Sequence, residues 1–567
     1  MSKKVAIIPA AGRGQRMLSM TDNCPKSMLP VGNKPLIGHH LDSLIKHGIE
    51  DVYIVVGYKK EVLVNYVSAL YSSKLNIHFV EQKELLGLAH AIKVTMDEIP
   101  NEYDGLYIVL GDIIVQDDSV YDMIENNKSF VAYKEVNDYS RWCLLQLNSN
   151  NEIVGFLDKP DEEPEEKNAV VGIYYYNNVE AFRNALNDVI NENIRIKNEF
   201  QISSVMEKYI NNYQQLIEGL KVKNWFDFGE IETYNESKKH FNLARCFNSI
   251  KYDDNKIVKT SHNYNKIQRE ILWYLTLPIN LHKYTPRLLN YSLDDSNVFY
   301  ELEYVNGTAL QELFIYNYLS CENWNKILQL IDNLISDFKA ESNFHSSSLY
   351  KFLFNNYMDR LEQINQKCTK NTQDLILDKY KYININGKDY FTLEYLQGYI
   401  NRKMRELEND STKYSQVIHG DLVFSNIIYN IGDNQIKLVD PRGNFNNDII
   451  YGDIRYDIAK LCQCIIGKYD FIVNDLTKHS YFKNQTGKYV AEYVIYNFNE
   501  ACDITLMFLK MVEKYECKLS DIYFITAIQF LTMIPLHSES EAHQNLMYFK
   551  FVELINKAFE LDNAISE

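Results

Sequence analysis

The sequence predicts two folded units in one chain: an α/β unit, followed by an α+β unit with a small β-rich lobe and a large helical lobe. Three observations carry this. At 567 residues the chain exceeds the size at which one hydrophobic core keeps growing, so two or three cores are expected. Residues 4–115 alternate short β-branched runs with helical patterns, the signature of parallel strands joined by crossover helices. After about residue 243 that alternation stops. The expected boundaries are 1–243 for the first unit and 244–567 for the second, with the small lobe at about 244–310 and the helical lobe at about 311–567.

Taken in order, "KVAIIPA" at the start is an apolar run ended by "GRGQR", which reads as a first strand and is too short for a signal-peptide core. "PLIGHHLDSLIKHG", "EVLVNYVSALY" and "LAHAIKVTMDEI" carry apolar residues at helical spacing, and "DVYIVVGY", "NIHFVEQ" and "GLYIVLGD" between them read as strands. Four further strands follow, "SFVAYKEV", "CLLQLN", "EIVGFLD" and "AVVGIYYY", then a helical stretch and "NWFDFGEIETYNESKKHF". Beyond it, "SIKYDDNKIVKTS" reads as a hairpin, "NKIQREILWYLTL" as a helix, and "RLLNYSL" with "VFYELEYV" as a second strand pair. The remainder is mostly long amphipathic helical pattern. No internal repeat or Pro/Gly/Ser-rich linker marks the junction, so the boundary near 240 to 247 rests on the change of pattern.

Composition narrows the function. With 59 Lys and Arg against 76 Asp and Glu, net −17, the chain lacks the cationic footprint that binding a nucleic-acid backbone requires. A protein of this charge that handles nucleotides must build local positive sites from Lys, Arg, backbone N–H groups and metal. The apolar stretch "IYFITAIQFLTMIPL" is short for a bilayer span and interrupted by Gln and Pro, so it reads as a buried helix and no membrane insertion is expected. Nine scattered cysteines without paired CxxC spacing suit a reduced, cytoplasmic setting. Expected partners are small-molecule substrates; a homo-oligomer stays open.

Gly12 and Gly14 lie just past the first strand, where missing side chains let backbone N–H groups approach phosphate, and Arg16 and Lys26 add positive charge nearby. By themselves the glycines fit a plain turn equally well. The longer stretch "AAGRGQRM…PKSMLPVGNKPLI", however, resembles the signature of the sugar-1-phosphate nucleotidyltransferases, and the resemblance continues in order over roughly 240 residues. It implies a Rossmann-like mixed sheet, with Gln82 and Gly87 of "EQKELLGLAHAI" contacting the nucleotide base. It also implies metal binding by Asp112 of "VLGD" and Asp227 of "WFDFG", and acceptor binding by Lys159 of "LDKP", Gly172 of "VVGIYYY" and Glu199 of "NEFQ". Asp158 replaces the family's usual glutamate, and Asn198 stands where glycine is more common, which leaves the sugar open. In that chemistry a phosphomonoester attacks the α-phosphorus of a nucleoside triphosphate. Two carboxylates hold Mg²⁺, Arg16 faces the departing pyrophosphate and Lys26 the reacting phosphate.

In the second unit "HGDLVFSN" sets Asp421 and Asn426 five apart, with Asp440 following in "LVDPRG". Phosphoryl transfer explains such spacing: one carboxylate receives the acceptor hydroxyl proton, while an amide oxygen and a second carboxylate hold Mg²⁺ against ATP. The arrangement resembles the protein-kinase-like small-molecule kinases, the aminoglycoside phosphotransferase and choline kinase group, and implies a bilobal fold. The resemblance implies that Asp421 is catalytic, that Asn426 and Asp440 bind metal, and that Lys259 pairs with the α/β-phosphates and with Glu270. It also implies a hinge receiving adenine around Glu303 to Val305. His419 is expected to brace the loop, and Arg442 to brace it or face phosphate. No Gly-rich loop is evident in "CFNSIKYDDNKIVK".

The two chemistries join: one unit makes a phosphomonoester with ATP, and the other consumes it with a second nucleoside triphosphate, releasing pyrophosphate. The expected product is a nucleotide-diphospho-sugar or polyol for surface polysaccharide synthesis. A choline kinase joined to a CTP:phosphocholine cytidylyltransferase is the alternative, since the many aromatic residues could cage a quaternary amine. A non-catalytic nucleotide sensor is the third.

Overall fold

The computed structural model describes residues 3–241, 249–253, 256–261, 263–294, 297–316, 319–341, 348–409, 411–446, 448–497 and 504–564. They form two compact units, Met1–Asn242 and Leu243–Glu567. Most of the expected junction at 240 to 247 lies outside the described residues.

In the first unit Lys4–Pro9 is the centre of a nine-stranded sheet, pairing in parallel with Asp51–Val56 on one side and Gly105–Val109 on the other. Its interior residues Val5, Ala6, Ile7 and Ile8 are fully buried, as expected of a strand covered on both faces, where apolar residues need not alternate with polar ones. Asn76–Glu81 extends the parallel half beyond Asp51–Val56. The other half changes direction: Asn168–Tyr176 runs antiparallel to Gly105–Val109, to Phe130–Glu135 and to Cys143–Leu147. The sheet is therefore mixed. Helices Leu88–Met96 and Val179–Asn191 lay their apolar stripes on one face, packing Ala89, Ile92, Phe182 and Leu186 against Val5, Ile7 and Ile108. The second of these helices is capped by Asn178, whose side chain accepts from the Ala181 amide at 3.0 Å. The carboxyl ends of Lys4–Pro9 and Gly105–Val109 lead directly into the glycine loop and Asp112, the edge of an open α/β sheet where ligands bind.

The second unit opens with a four-stranded antiparallel sheet in the order Ser249–Asp253, Lys256–Thr260, Phe299–Glu303, Leu288–Ser292, together with the helix Tyr264–Thr276. Long helices follow, among them Cys321–Ala340, Leu349–Lys367, Leu393–Asn409, Ile454–Ile465, Leu519–Met533 and Glu541–Ala564. The helical reading of this region needs correction. It also contains a four-stranded sheet in the order Lys388–Phe391, Tyr382–Ile385, Tyr489–Ile495, Thr477–Lys483. One hairpin of that sheet turns on Asn386 and Gly387, with φ of 49° and 83°, the Asn-Gly pair that a two-residue hairpin favours because both positions need positive φ.

The window Leu519–Leu536, with mean hydropathy 1.5, has the length and apolarity to cross a bilayer. That corrects the estimate of its length, but 78% of the window is buried inside the unit. A helix apolar on all sides is what a core position demands.

Candidate active sites

The first strand delivers the glycine loop by backbone bonds. The Ala10 amide donates to Val55 O at 2.9 Å, and Ala11 O accepts from the Tyr58 amide at 3.0 Å. Gly14 adopts φ +68°, and a Cβ there would meet Lys26 side-chain carbons at 2.9 to 3.1 Å, so any other residue would displace that lysine. At Gly12 the Cβ position is open, with nothing within 4 Å. The chain then enters a short 3-10 helix, Gln15–Thr21.

Lys26 Nζ lies 2.6 Å from Asp112 Oδ2. Asp227 joins them because Trp225–Asp227 runs antiparallel to Ile113–Val115, setting Asp227 opposite Ile113, and because the Phe228 amide donates to Asp112 O at 3.0 Å. Its Oδ1 accepts from the Gly229 amide at 3.2 Å, while Oδ2 is buried with no hydrogen-bond partner. Burial and then the Asp112 carboxylate raise the Asp227 pKa, opposed in part by the nearby Thr233 hydroxyl, which falls short of hydrogen-bond geometry, and by Lys26. Two carboxylates held together at a cost, one with an orphaned oxygen, form a pair suited to a hard cation. Arg16 is exposed and paired with Glu230, which also takes Arg141 at 2.9 Å.

Gln82 is buried beside His90, Nε2 to Nδ1 3.3 Å. At Gly87 φ is +111°, and a Cβ would come within 2.6 Å of Phe200 O. The Phe200 amide donates to Leu86 O, and the Ala89 amide to Phe200 O, both at 2.9 Å. The stretches carrying Gly87 and Glu199 are thereby stitched together. Ile196 and Glu199 exchange backbone bonds across Lys197 and Asn198, at φ 51° and 67°. A position with φ that positive favours Gly, and Asn is the side chain that best tolerates it, which accounts for Asn198. Glu199 is exposed and accepts from Gln201 Nε2 at 2.9 Å. Gly172, φ +92°, leaves no room for a Cβ beside Leu110. Lys159 is exposed, in left-handed backbone at φ 48°, anchored by its amide to Trp142 O at 3.0 Å.

In the second unit Lys259 is buried, with Nζ 2.7 Å from Glu270 Oε2 and 2.8 Å from Asp440 Oδ1. Burial pulls the Lys259 pKa down, but Asp440 and Glu270 together outweigh it and leave it raised. Tyr300 Oη donates to the same Glu270 oxygen at 2.7 Å. Asp421 lies 3.1 Å from Lys460 Nζ. Burial would raise the Asp421 pKa, yet Lys460 and Arg442 win and hold it below the ordinary value. Asn426 Nδ2 donates to Asp421 O at 2.9 Å and Oδ2 at 3.3 Å, tying the two ends of the loop. Glu303 ends its strand with its amide donating to Arg287 O at 3.0 Å and its carboxylate on the same arginine; Val305 is half-buried just beyond. Buried His419 packs edge-on to Trp273, 5.6 Å between centroids. Arg442 Nη1 donates to Tyr456 Oη at 3.2 Å.

Sequence reasoning missed Glu230, Arg141, Asp457 and Lys460. Asp457 is buried, and its two oxygens accept from the His419 and Gly420 amides at 2.7 and 2.8 Å, bracing the Asp421 loop from the helix Ile454–Ile465. The signal was present in "IRYDIAKLCQCI", where every residue of a helix carrying Arg, Asp and Lys is buried. Charges survive inside an apolar helix only with partners. Burial raises the Asp457 pKa to about 7 from 3.8, with Asp421 adding to the rise and Lys460 opposing it. A folded-state pKa above the unfolded one means the stability this group contributes is full below about pH 4 and lost as pH rises through 7. Asp457→Asn is therefore expected to gain on the wild type in transition temperature as pH rises from 5 to 8. A difference that stays constant across thermal unfolding at those pH values would refute the assignment.

Carboxylates at the carboxyl edge of a mixed α/β sheet, beside a glycine loop and a lysine, define a phosphate-handling protein. Residues 5–242 match the nucleotidyl transferase family. The "Bifunctional protein GlmU" of Methanococcus maripaludis is 28% identical over 240 residues, covering 42% of this chain and 54% of that protein. The "UTP--glucose-1-phosphate uridylyltransferase AglF" of Haloferax volcanii is 28% identical, covering 41% and 95%. The "UTP--glucose-1-phosphate uridylyltransferase" of Staphylococcus epidermidis is 30% identical, covering 40% and 88%. The chain spans about half the length of the GlmU relative. Through its first unit the chain belongs to the nucleotidyl transferase family.

Proposed function

We propose that the chain is a bifunctional enzyme: the second unit phosphorylates a small hydroxylated acceptor with ATP, and the first transfers a nucleotidyl group onto the phosphomonoester. The observation that carries this reading is the Lys259–Glu270–Asp440 chain of ion pairs with Asp421 and Asn426 tied in one loop, in a chain whose other unit is of the nucleotidyl transferase family.

In the kinase step the acceptor oxygen bonds to the γ-phosphorus of ATP as the bond to the β-bridging oxygen breaks. ADP leaves, and Asp421, held ionised by Lys460 and Arg442, receives the hydroxyl proton. Buried Lys259, fixed by Glu270, is set to meet the α/β-phosphates, and the backbone after Glu303 to receive the base. In the second step a phosphomonoester oxygen bonds to the α-phosphorus of a nucleoside triphosphate, and pyrophosphate departs. Lys26 faces the reacting phosphate and Arg16 the pyrophosphate, released from Glu230. Gly12 and Gly14 offer backbone to the triphosphate, Gln82 and Gly87 line the base pocket, and Lys159, Gly172 and Glu199 take the acceptor.

Magnesium fits both donor sets, since Asp112 with Asp227, and Asp440 with Asn426, present hard oxygens. Asp227 Oδ2 is already buried and unpartnered. When bound, the ion supplies positive charge against the phosphates. The names of two relatives, both of glucose-1-phosphate enzymes, favour a sugar phosphate over phosphocholine, with a polyol phosphate as its near variant, and we place such a product in surface polysaccharide synthesis in the cytoplasm.

The test is pyrophosphate release from CTP, UTP, GTP or dTTP with a panel of sugar phosphates, polyol phosphates and phosphocholine. Release that requires both a phosphomonoester and a particular nucleotide is expected. Silence across the panel would leave the nucleotide-sensor reading in its place.

A further inference from the structure

A cavity of about 200 Å³ opens beside Asp421. Four charged side chains line it: Asp421, Lys460, Arg442 and Arg360. Lys460 is paired with Asp421 at 3.1 Å, which accounts for one cation. Neither Arg360 nor Arg442 has a carboxylate at ion-pairing distance among the described residues; Arg360 Nη1 donates to Gln363 Oε1, and Arg442 Nη1 to Tyr456 Oη. Both residues are half-buried. They are close enough to feel each other, for the Arg360 pKa is lowered by burial and then by Arg442. Two such groups facing one cavity call for an oxyanion, which a planar guanidinium engages through paired N–H bonds.

Aromatic rings are present, but they are already covered. Arg442 stacks over Phe352 at 4.7 Å and lies 5.7 Å from the Tyr456 centroid. A quaternary amine seeking those faces would meet a guanidinium instead, so the arrangement repels the cation that an aromatic cage would attract. A neutral polyol would leave both arginines without an oxyanion at ion-pairing distance, since Asp421, which feels Arg442, and Asp359, which feels Arg360, both lie beyond it. One further group speaks for a hydroxylated occupant: Gln529, 3% exposed, has a buried Oε1 with no hydrogen-bond partner at the cavity wall. A hydroxyl can donate to it.

Resting on the kinase reading above, we propose that the acceptor phosphorylated at Asp421 is itself anionic, a small polyhydroxylated carboxylate or phosphate. Its oxyanion lies against Arg360 and Arg442, and the hydroxyl to be phosphorylated lies toward Asp421. The product of the first step then carries two anionic groups, one of which passes unchanged into the nucleotide-diphospho product.

Calorimetry on the full chain with six probes tests this: gluconate and glycerate as carboxylates, glucose 6-phosphate as a phosphate, glucitol and glycerol as neutral polyols, and choline. At least one anionic probe is expected to bind, to weaken at least ten-fold in Arg360→Gln, and to be partly rescued in Arg360→Lys. The same binding should be unchanged in Asp112→Asn, which places it in the second unit, and Arg442→Gln serves should Arg360→Gln fail to show a wild-type unfolding transition. A carboxylate response without a glucose 6-phosphate response, or the reverse, identifies the oxyanion. Phosphorus NMR with ATP reads the kinase step separately. An anionic probe that binds through Arg360 but is never phosphorylated keeps the anion site and sinks the kinase reading. Choline or a neutral polyol phosphorylated equally well by wild type and Arg360→Gln keeps the kinase and overturns the anionic acceptor, as does the failure of every anionic probe to bind.

Discussion

Asp421→Asn is expected to abolish formation of the diphospho product from bare acceptor, ATP and a nucleoside triphosphate, while supplying the phosphorylated acceptor restores it. Asparagine can still accept a hydrogen bond from the hydroxyl but cannot take its proton, and loss of a positioned general base typically costs about 10²- to 10⁴-fold in rate. The loop should keep its shape, because the 2.9 Å bond from Asn426 reaches the Asp421 backbone oxygen, and the His419 and Gly420 amides are held by Asp457. What the variant does lose is the partner of Lys460, a buried cation, so some loss of thermal stability accompanies the loss of rate. Phosphorus NMR separates the two effects. A variant that still unfolds in one cooperative, somewhat lower transition yet makes no phosphomonoester fits the role, and one that still converts bare acceptor to diphospho product ends it.

The order of strands and helices in the first 115 residues was legible because the physics there is local: β-branched runs bounded by glycine, and apolar residues at helical spacing, each bury one face of the same sheet. The change of direction at Asn168–Tyr176 depends on pairing between distant strands and left no mark in the local pattern. Asn386-Gly387 was a readable hairpin signal passed over because the surrounding helices dominate. Charged partners were the least legible. Glu230 meets Arg16 from 214 positions away, and Asp457 acts through two backbone amides, a relation that no spacing encodes. Glycines were easier, since a positive φ or a blocked Cβ position, as at Gly14 and Gly87, restricts the residue type directly.

Asp112→Asn is expected to do the reverse of Asp421→Asn: the phosphomonoester accumulates and no diphospho product appears. The substitution removes one negative charge from a pair in which Asp227 already has a raised pKa through burial and Asp112, and it removes the partner of Lys26 at 2.6 Å. It does not remove the backbone bond from the Phe228 amide to Asp112 O, so the hairpin that presents Asp227 stays in place. Losing one electrostatic contact of this kind typically costs about 10²- to 10³-fold in rate. With Asp112 neutral, burial still raises the Asp227 pKa but the added repulsion is gone, so Asp227 should ionise more readily while the pair as a whole holds a divalent cation less well. The expected signature is therefore a lower rate together with a higher magnesium requirement, and an unchanged kinase step, since Asn426 and Asp440 belong to the other unit. Initial rates of pyrophosphate release across a magnesium series check both. Wild-type rates at every magnesium concentration would remove Asp112 from the metal pair, and a phosphomonoester that fails to accumulate would break the coupling between the two activities.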